Sequence, residues 1–388
     1  MNRGAVAEIS LTSIAHNLRC IKKVVKNRPV IPVVKADAYG HGAVKVSKTL
    51  AEEGVPCVAV AYTGEAIELR EAGIDIPIMV LFERKDIKDF FDFGLIPVIH
   101  DVDTALSISS EAEKRNTSIK VHVKVDTGMG RAGLSGSKII KDLLEISEMN
   151  GIELVGLLSH FSEADLSERS YAFLQIERFN KIREMLSKKI GRKIFSHMAN
   201  SAAVLAFEGA HLDAVRPGLM LYGYSPFQKS EGFGELNRDV RSQKLKIECD
   251  KSGSIELKPA MKVKTKFLCI RNLPSGSSIS YGRTFITNRK SRIGVLPLGY
   301  ADGYNRLFSN NAEVLVKGKR APVVGRVCMD LTMTDLTDIK GVTEKDEVVI
   351  MGKQGKEIIT AYELAYKTNT IPYEILTSLG GKSKKDYV

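Results

Sequence analysis

The sequence predicts an α/β chain with a mostly-β addition: an N-terminal (β/α)8 TIM-like barrel followed by a C-terminal β domain. Three observations carry this. Between Val30 and Tyr222, eight short apolar runs alternate with stretches of helical spacing, the pattern of βαβ units in a parallel sheet. About eight such units in about 220 residues fit a closed barrel. From Met261 onward the texture changes to brief β-like runs separated by turn residues. A doubly wound open sheet is the competing architecture, but it normally brings a glycine-rich phosphate loop, and no G-x-G-x-x-G string is read as opening a helix here.

The elements follow in order. Val6-Ala7-Glu8-Ile9-Ser10 reads as a strand. Residues 11–26 read as a helix whose stripe is Ile14, Leu18, Ile21 and Val25, with Lys22, Lys23 and Lys26 on the solvated face. The run Val30-Ile31-Pro32-Val33-Val34 has the continuous apolarity of a strand buried on both faces. Gly40 and Gly42 then permit a tight turn into a helix with Ala43, Val46, Leu50 and Ala51 on one side. Further strands are expected at Cys57–Ala61, Ile76–Leu81, Ile96–Ile99, Ile119–Val125, Ile152–Leu158 and Lys193–Met198. The eighth comprises Ala214–Arg216 with Leu219–Tyr222. Thr63-Gly64-Glu65 opens one intervening helix and Gly73 closes it. Residues 167–188 form another, with Phe173, Ile176, Phe179, Ile182 and Leu186 at helical spacing. Residues 228–259 are polar and charged, a loop or hairpin. Short strands then follow at Val263–Ile270, Arg292–Leu298, Ala312–Val316, Pro322–Met329 and Glu347–Ile350, and residues 360–380 add a helical close.

Composition bounds the function. A hydrophobic content of 44% with 27% charged residues is that of a soluble globular protein with a large core. No run of 18 apolar residues and no signal-peptide pattern occur, so neither a membrane span nor export is expected. The five cysteines, Cys20, Cys57, Cys249, Cys269 and Cys328, are scattered without metal-ligand spacing. They read as reduced thiols of a cytoplasmic protein that binds no metal. The net charge of +11 is dispersed and not interleaved with aromatic residues, which favours a solvated surface over nucleic-acid binding.

Several strings carry chemistry. Lys35 in Val33-Val34-Lys35-Ala36-Asp37-Ala38-Tyr39-Gly40-His41-Gly42 stands at the C-terminal end of a buried parallel strand, where barrel enzymes place their reactive groups. A desolvated lysine there is a nucleophile toward aldehydes; read alone, a lysine at such a position is more often one snorkelling from a strand end. In Lys124-Val125-Asp126-Thr127-Gly128-Met129-Gly130-Arg131, two glycines let the chain turn so that Arg131 crosses the barrel mouth, suited to a carboxylate or phenolic oxygen. His197-Met198-Ala199-Asn200-Ser201 ends a strand and starts a helix; Asn200 or Ser201 caps it, and the free N–H groups make an anion site. Ser159-His160-Phe161, Val215-Arg216-Pro217-Gly218-Leu219, Ser280-Tyr281-Gly282-Arg283, Gly299-Tyr300-Ala301-Asp302, Cys328-Met329-Asp330 and Ile371-Pro372-Tyr373 complete the set.

These strings, in this order over roughly residues 5–225 and 260–376, resemble the alanine racemase family of fold-type III pyridoxal-phosphate enzymes. The resemblance implies a racemase interconverting L- and D-alanine and supplying D-alanine for peptidoglycan. It makes Lys35 the residue that carries pyridoxal 5'-phosphate as a Schiff base and one of two catalytic bases. Tyr281 is the second base, on the opposite face of the substrate. Tyr39, Asn200, Ser201, Gly218, Leu219 and Tyr373 are implied cofactor ligands. Arg216 lies beside the pyridine nitrogen, where a permanent cation disfavours protonation and suits racemisation better than transamination. His160 belongs to the network between Arg216 and Tyr281. Arg131, Met329 and Tyr300 bind or admit the substrate. The lysine matching Lys124 is carbamylated in some members, steadying the arginine. The family also implies a head-to-tail homodimer in which Tyr281, Tyr300 and Met329 serve the partner's Lys35. On this basis residues 11–240 form the barrel, and residues 241–388 with the strand in 1–10 form the β domain. A racemase of another or broader amino-acid range, a related decarboxylase and a non-catalytic cofactor carrier are the alternatives. Residues 228–259 and the lysine-rich tail Ser378–Val388 depart from the family pattern.

Overall fold

A computed structural model of the chain describes residues 4–227, 245–249 and 253–388. Strand β1 (Val6–Ile9) precedes a helix, Leu11–Val24, capped by the Ser10 hydroxyl accepting from the Ser13 N–H at 3.2 Å. The helix stops short of the expected residue 26 because Lys26 and Asn27 take left-handed backbone angles.

The barrel wall is a six-stranded parallel sheet in sequential order: β2 (Val58–Val60), β3 (Ile78–Val80), β4 (Ile96–Ile99), β5 (Ile119–Lys124), β6 (Ile152–Leu158) and β7 (Phe195–His197). The two remaining places are filled by segments without ladders. Val33 bridges Ala59, His197 bridges Ala214, and Val30 bridges Val215, joining the two ends of the sheet. Backbone bonds reinforce the seam: Ile31 N–H donates to Val215 O at 2.8 Å and Val33 N–H to Pro217 O at 3.0 Å. Pro29, Pro32 and Pro217 lack the N–H groups that longer ladders would need. This accounts for bridges where sequence periodicity predicts full strands.

Leu219–Tyr222, expected as strand, is a 3-10 turn instead. All four residues are buried; a short apolar run reports burial and does not by itself separate strand from turn. The long helix spans Ser170–Ile190, displaced slightly from the expected 167–188. Gly128-Met129-Gly130-Arg131-Ala132-Gly133 does have G-x-G-x-x-G spacing, but it opens no helix. Leu134 bridges back to Val125, and the next helix starts at Ile139.

The expected domain boundary at residues 240–241 lies outside the described residues. Of the polar stretch 228–259, the described part pairs as an antiparallel hairpin, β8 (Leu245–Cys249) with β9 (Gly253–Leu257). The β part then builds two sheets. The first contains β10 (Met261–Lys266), and the second contains β11 (Cys269–Leu273). The single strand expected at 263–270 therefore breaks at Phe267–Leu268 as the chain passes between sheets. A small hairpin of β12 (Ser278–Ile279) and β13 (Phe285–Ile286) carries the turn Tyr281–Arg283. β14 (Ser291–Leu296) pairs with β11 and, on its other side, with β17 (Thr332–Asp335). Between them, β15 (Glu313–Val316) pairs with β16 (Lys319–Pro322). Most of the strand expected at 322–329 is loop; Gly325 holds φ +77° there, while Val323, Val324 and Val327 are buried without a ladder.

The larger sheet runs β16-β15-β18-β10-β1-β20, with β18 (Glu347–Gln354) also pairing β19 (Glu357–Ile359). β1 thus belongs to the β part, antiparallel to β10 and parallel to β20 (Lys384–Tyr387). Sequence reading gave no strand at β20. Its residues Lys384, Lys385 and Asp386 are weak strand formers, and main-chain pairing with β1 decides its state. Before it come helices Ala361–Lys367 and Pro372–Lys382. The second of these packs on the barrel: a Cβ at Gly380 would overlap the Gly40 carbonyl.

Candidate active site

Lys35 ends the first barrel segment, and the chain then does something unusual for L-residues. Ala36, Asp37, Ala38 and Tyr39 all hold φ between +51° and +54°, a left-handed turn without glycine. Such geometry costs roughly 1–2 kcal/mol per residue. Dense local bonding offsets it. Ala38 N–H donates to Val34 O at 2.8 Å, and Gly42 N–H to Asp37 O at 2.9 Å. The buried His41 ring reaches the Ala38 and Tyr39 carbonyls at 3.0 and 3.1 Å. Glu65 spans the base, accepting from Ala36 N–H and Ala61 N–H, each at 2.6 Å. The Asp37 carboxylate caps the following helix, accepting from Ala43 N–H at 2.7 Å.

The turn opens onto a cavity of about 680 Å³ at the C-terminal ends of the barrel strands. Lys35, Lys124 and Arg131 meet there around one ring. Their cationic centres lie 5.5, 5.8 and 5.6 Å from the centroid of Phe82, within cation–π range. Burial, and then the Arg131 charge, push the Lys35 amine below its ordinary value. The same two causes, in that order, push Lys124 down to about 8, with Arg216 adding to the effect. Lys124 Nζ is buried and, among the described residues, has no hydrogen-bond partner, an orphan donor that calls for an acceptor.

Arg216 is buried, which lowers its guanidinium to about 9. It donates to the Ser159 carbonyl at 2.6 Å, to the His197 carbonyl at 2.9 Å and to His197 Nδ1. His197 Nε2 in turn lies 2.9 Å from Nδ1 of His122. Burial holds both imidazoles neutral: His122 falls to about 4 and His197 lies well below its ordinary value. His160, expected as the network histidine, lines the cavity, and burial followed by the Arg216 charge also keeps it neutral. The histidine bonded to the arginine is His197, and sequence reading assigned it no role. The signal was present: His122 and Lys124 are polar residues two apart at the end of a strand, Ile119-Lys120-Val121-His122-Val123-Lys124, in which only Lys120 is exposed. Phe82 was missed as well, an aromatic directly after the apolar run Ile76–Leu81.

Another part of the cavity wall is suited to an anion. Asn200 caps the short helix Ser201–Ala206, its Oδ1 accepting from Ala203 N–H at 3.0 Å. The buried Ser201 hydroxyl accepts from the N–H groups of Gly218 and Met220 at 3.0 and 3.3 Å. Gly218 is required sterically, since a Cβ there would meet the Tyr39 hydroxyl. The Tyr39 ring packs between Tyr222 and Tyr373, with centroids at 4.9 and 5.8 Å. Burial raises both the Tyr39 and Tyr373 phenols, Tyr373 to about 12, so both stay protonated donors. Leu219, the other expected backbone donor, is buried in the cavity wall.

Three expected site residues are not in this cavity. Tyr281, Met329 and Tyr300 are 69%, 53% and 44% exposed. Their loops are tied together on the β part. Tyr300 N–H donates to Cys328 O and Ala301 N–H to Met329 O, both at 3.0 Å. The Ser280 hydroxyl beside Tyr281 donates to Arg326 O at 2.6 Å. Among the described residues no cluster of histidine, cysteine or carboxylate could hold a metal ion, and no helix is long and apolar enough to cross a membrane.

The cavity suits pyridoxal phosphate. A poised lysine, an anion cradle of serine hydroxyl, backbone amides and protonated phenols, a buried arginine and a buried second lysine match the groups of that cofactor. A barrel with this cavity and an appended β part defines a pyridoxal-phosphate-dependent enzyme of the barrel-plus-β type. The chain belongs to the alanine racemase family. It matches the family models for the alanine racemase N-terminal domain over residues 9–226 and C-terminal domain over residues 260–387. It is 47% identical to the alanine racemase of Thermodesulfovibrio yellowstonii, with 100% of this chain and 99% of that protein covered. Among solved structures, it resembles the Bacillus anthracis alanine racemase with bound L-Ala-P, at a TM-score of 0.88 and 33% identity over 100% and 96% of the two chains. It also resembles the Bartonella henselae alanine racemase with covalently bound pyridoxal phosphate, at a TM-score of 0.83 and 29% identity over 99% of each.

Proposed function

We propose that this enzyme interconverts L- and D-alanine with two bases, Lys35 from one copy of the chain and Tyr281 from another. It supplies D-alanine for peptidoglycan in the cytoplasm. The observation that carries the reading is the split of the residue set. Lys35 and its surroundings converge on one cavity, while Tyr281, Tyr300 and Met329 stand exposed on the β part of the same chain. A head-to-tail homodimer reunites them, with residues 11–240 as the cofactor-bearing barrel and residues 241–388 plus 1–10 as the donor of the second base.

Pyridoxal phosphate, when bound, supplies an electron sink that acidifies the substrate α-C–H bond. Lys35 is the residue to hold it, with Ser201, Asn200, Tyr39, Tyr373 and the amides of Gly218 and Leu219 around its phosphate. The Lys35 amine, lowered by burial and then by Arg131, gives up its proton more readily than a free lysine and can serve as a base. Tyr281 does the same on the other face. Arg131 and Arg216 form the cationic field that would stabilise its phenolate there. Arg131 receives the substrate carboxylate, with the Met329 N–H as a second donor and Tyr300 at the entrance. Arg216 keeps its charge and would disfavour a proton on a ring nitrogen held beside it, which would favour return of the α-proton over side reactions. Lys124 in its neutral form can add carbon dioxide, and the resulting carbamate would pair with Arg131.

A decarboxylase would be better served by an acid where Arg216 stands. The partners of Arg216 are two carbonyls and a neutral imidazole. The deciding experiment is purified protein with L-alanine in heavy water, followed by chiral analysis. Racemic alanine carrying deuterium at Cα is expected; alanine that keeps its configuration and its proton would overturn the proposal.

A further inference from the structure

Nothing in the reaction explains why the chain's last strand runs beside the turn that carries Lys35. β20 pairs parallel with β1 over Val6↔Lys384 to Ile9↔Tyr387, and Val388 N–H donates to Ile9 O at 2.9 Å. This registration fixes two side chains over the left-handed turn. Lys385 Nζ pairs with Asp37 Oδ2 at 2.7 Å, the Lys385 side chain being only 18% exposed. The Tyr387 hydroxyl lies so close to Gly42 that a Cβ there would overlap it. Asp37 is one of the four left-handed residues, and its other carboxylate oxygen caps the helix that follows. Its two oxygens therefore join the start of that helix and the end of the chain across the strained segment.

We infer that Lys385 is a positioning residue for Lys35, acting through its ion pair with Asp37 to hold the left-handed turn in the one conformation that delivers the lysine into the cavity. The inference rests on the reading of Lys35 as the cofactor lysine. The turn is backbone that non-glycine residues avoid, so it persists only while its surroundings over-determine it. The tail is one such constraint, and it is built from the β part and not from the barrel. This also gives the lysine-rich tail a role: the strand is registered by main-chain bonds, and the lysine is aimed by that register.

The test uses the full-length protein stripped of cofactor and rebound to pyridoxal phosphate, followed by visible absorption and visible circular dichroism. Lys385→Met should weaken cofactor binding by on the order of tenfold, reduce the induced dichroism and lower kcat with KM for alanine little changed. Lys385→Arg should behave as the parent. Asp37→Asn keeps the helix cap but removes the charge, and should show the same defect. Combined with Lys385→Met it should add little, because the two act through one contact. Parent-like binding and dichroism in Lys385→Met would overturn the inference, as would additive losses in the double variant. Should the methionine variant fold poorly, the arginine rescue and the Asp37→Asn variant still decide it. Lys35→Ala separates the two readings. Persistence of the absorption band in that variant defeats the assignment of Lys35, whereas its loss beside a parent-like Lys385→Met defeats the tail's role alone.

Discussion

Arg216 donates to Nδ1 of His197, and that one bond sets the proton positions of two buried histidines. Nδ1 accepts, so the proton of neutral His197 is on Nε2, which donates to Nδ1 of His122 at 2.9 Å. The arginine is thus flanked by neutral dipoles that orient it without neutralising it. Replacing His197 by leucine should leave the Arg216 N–H unpaired in a buried site. The loss of an acceptor from a charged donor costs about 1–3 kcal/mol, and thermal or urea unfolding of the apoprotein should read a destabilisation of that size together with reduced kcat. An unchanged midpoint would show that the arginine finds another acceptor.

Lys35→Ala should abolish both the absorption of the lysine-bound cofactor and turnover. The anion cradle of Ser201 and Gly218 remains intact, so weak non-covalent cofactor binding by equilibrium dialysis is expected to survive. Turnover at the parent rate would remove Lys35 from the mechanism.

Tyr281→Phe should keep the absorption and lose most activity, more severely from L-alanine than from D-alanine, since the phenol is assigned the proton of the L-enantiomer. Mixing and reassorting this variant with Lys35→Ala gives a sharper outcome. In a head-to-tail dimer one mixed site carries both lesions and the other none. Random reassortment should restore roughly a quarter of the parent rate from two inactive proteins. No recovery, with mixed dimers shown by mass, would place both residues in one chain's site.

Lys124 should leave a mark on the pH dependence of stability. Its folded pKa is lowered to about 8 by burial and by Arg131, below the unfolded value near 10.4. The unfolded chain therefore binds more protons between these values, and stability contributed by this residue rises with pH across that window. Below about pH 8 the cost of the buried ammonium is fully present. Denaturant unfolding of the apoprotein in carbon-dioxide-free buffer should show this rise, and Lys124→Met should remove part of it and be the more stable protein at neutral pH. Identical profiles for the two proteins would mean that Lys124 titrates normally.

Replacing Phe82 by leucine should loosen the ring of cations. Each lysine or arginine loses a cation–π contact worth about 0.5–1 kcal/mol. The Lys35 and Lys124 ammonium forms become less favoured, so the rise of stability with pH should begin at lower pH. Substrate affinity should fall as Arg131 gains freedom. An unchanged KM for alanine would mean that Arg131 is held by other contacts.

Much of this was legible from residue order alone. β4 and β6 fall at the expected residues because largely apolar runs bounded by turn signals leave little choice once most of their side chains are buried. Asn200 as a helix cap and Arg131 beyond a glycine turn follow from local chemistry. Other features were not local. Pro29 and Pro32 reduce a predicted strand to bridges, yet whether those bridges form depends on Val215 and Ala59. The apolarity of Leu219–Tyr222 comes from burial beneath Tyr39 and His41, not from a ladder. β20 is charged and would be placed in no strand by propensity; β1 supplies its bonds from the other end of the chain.

The sequence by itself determined the class of fold, the family and the identities of the lysine, arginine and serine that line the cavity, because those depend on residue type, spacing and strand ends. Tertiary structure decided what those groups are: that Lys35 leaves the barrel through a left-handed turn, that the Lys124 amine is buried with no hydrogen-bond partner among the described residues, that Arg216 donates to His197, and that Tyr281 stands exposed outside its own chain's cavity. Each of these is set by burial and by contacts between residues far apart in the chain, which fix charge, tautomer and backbone angle only once the chain has closed on itself.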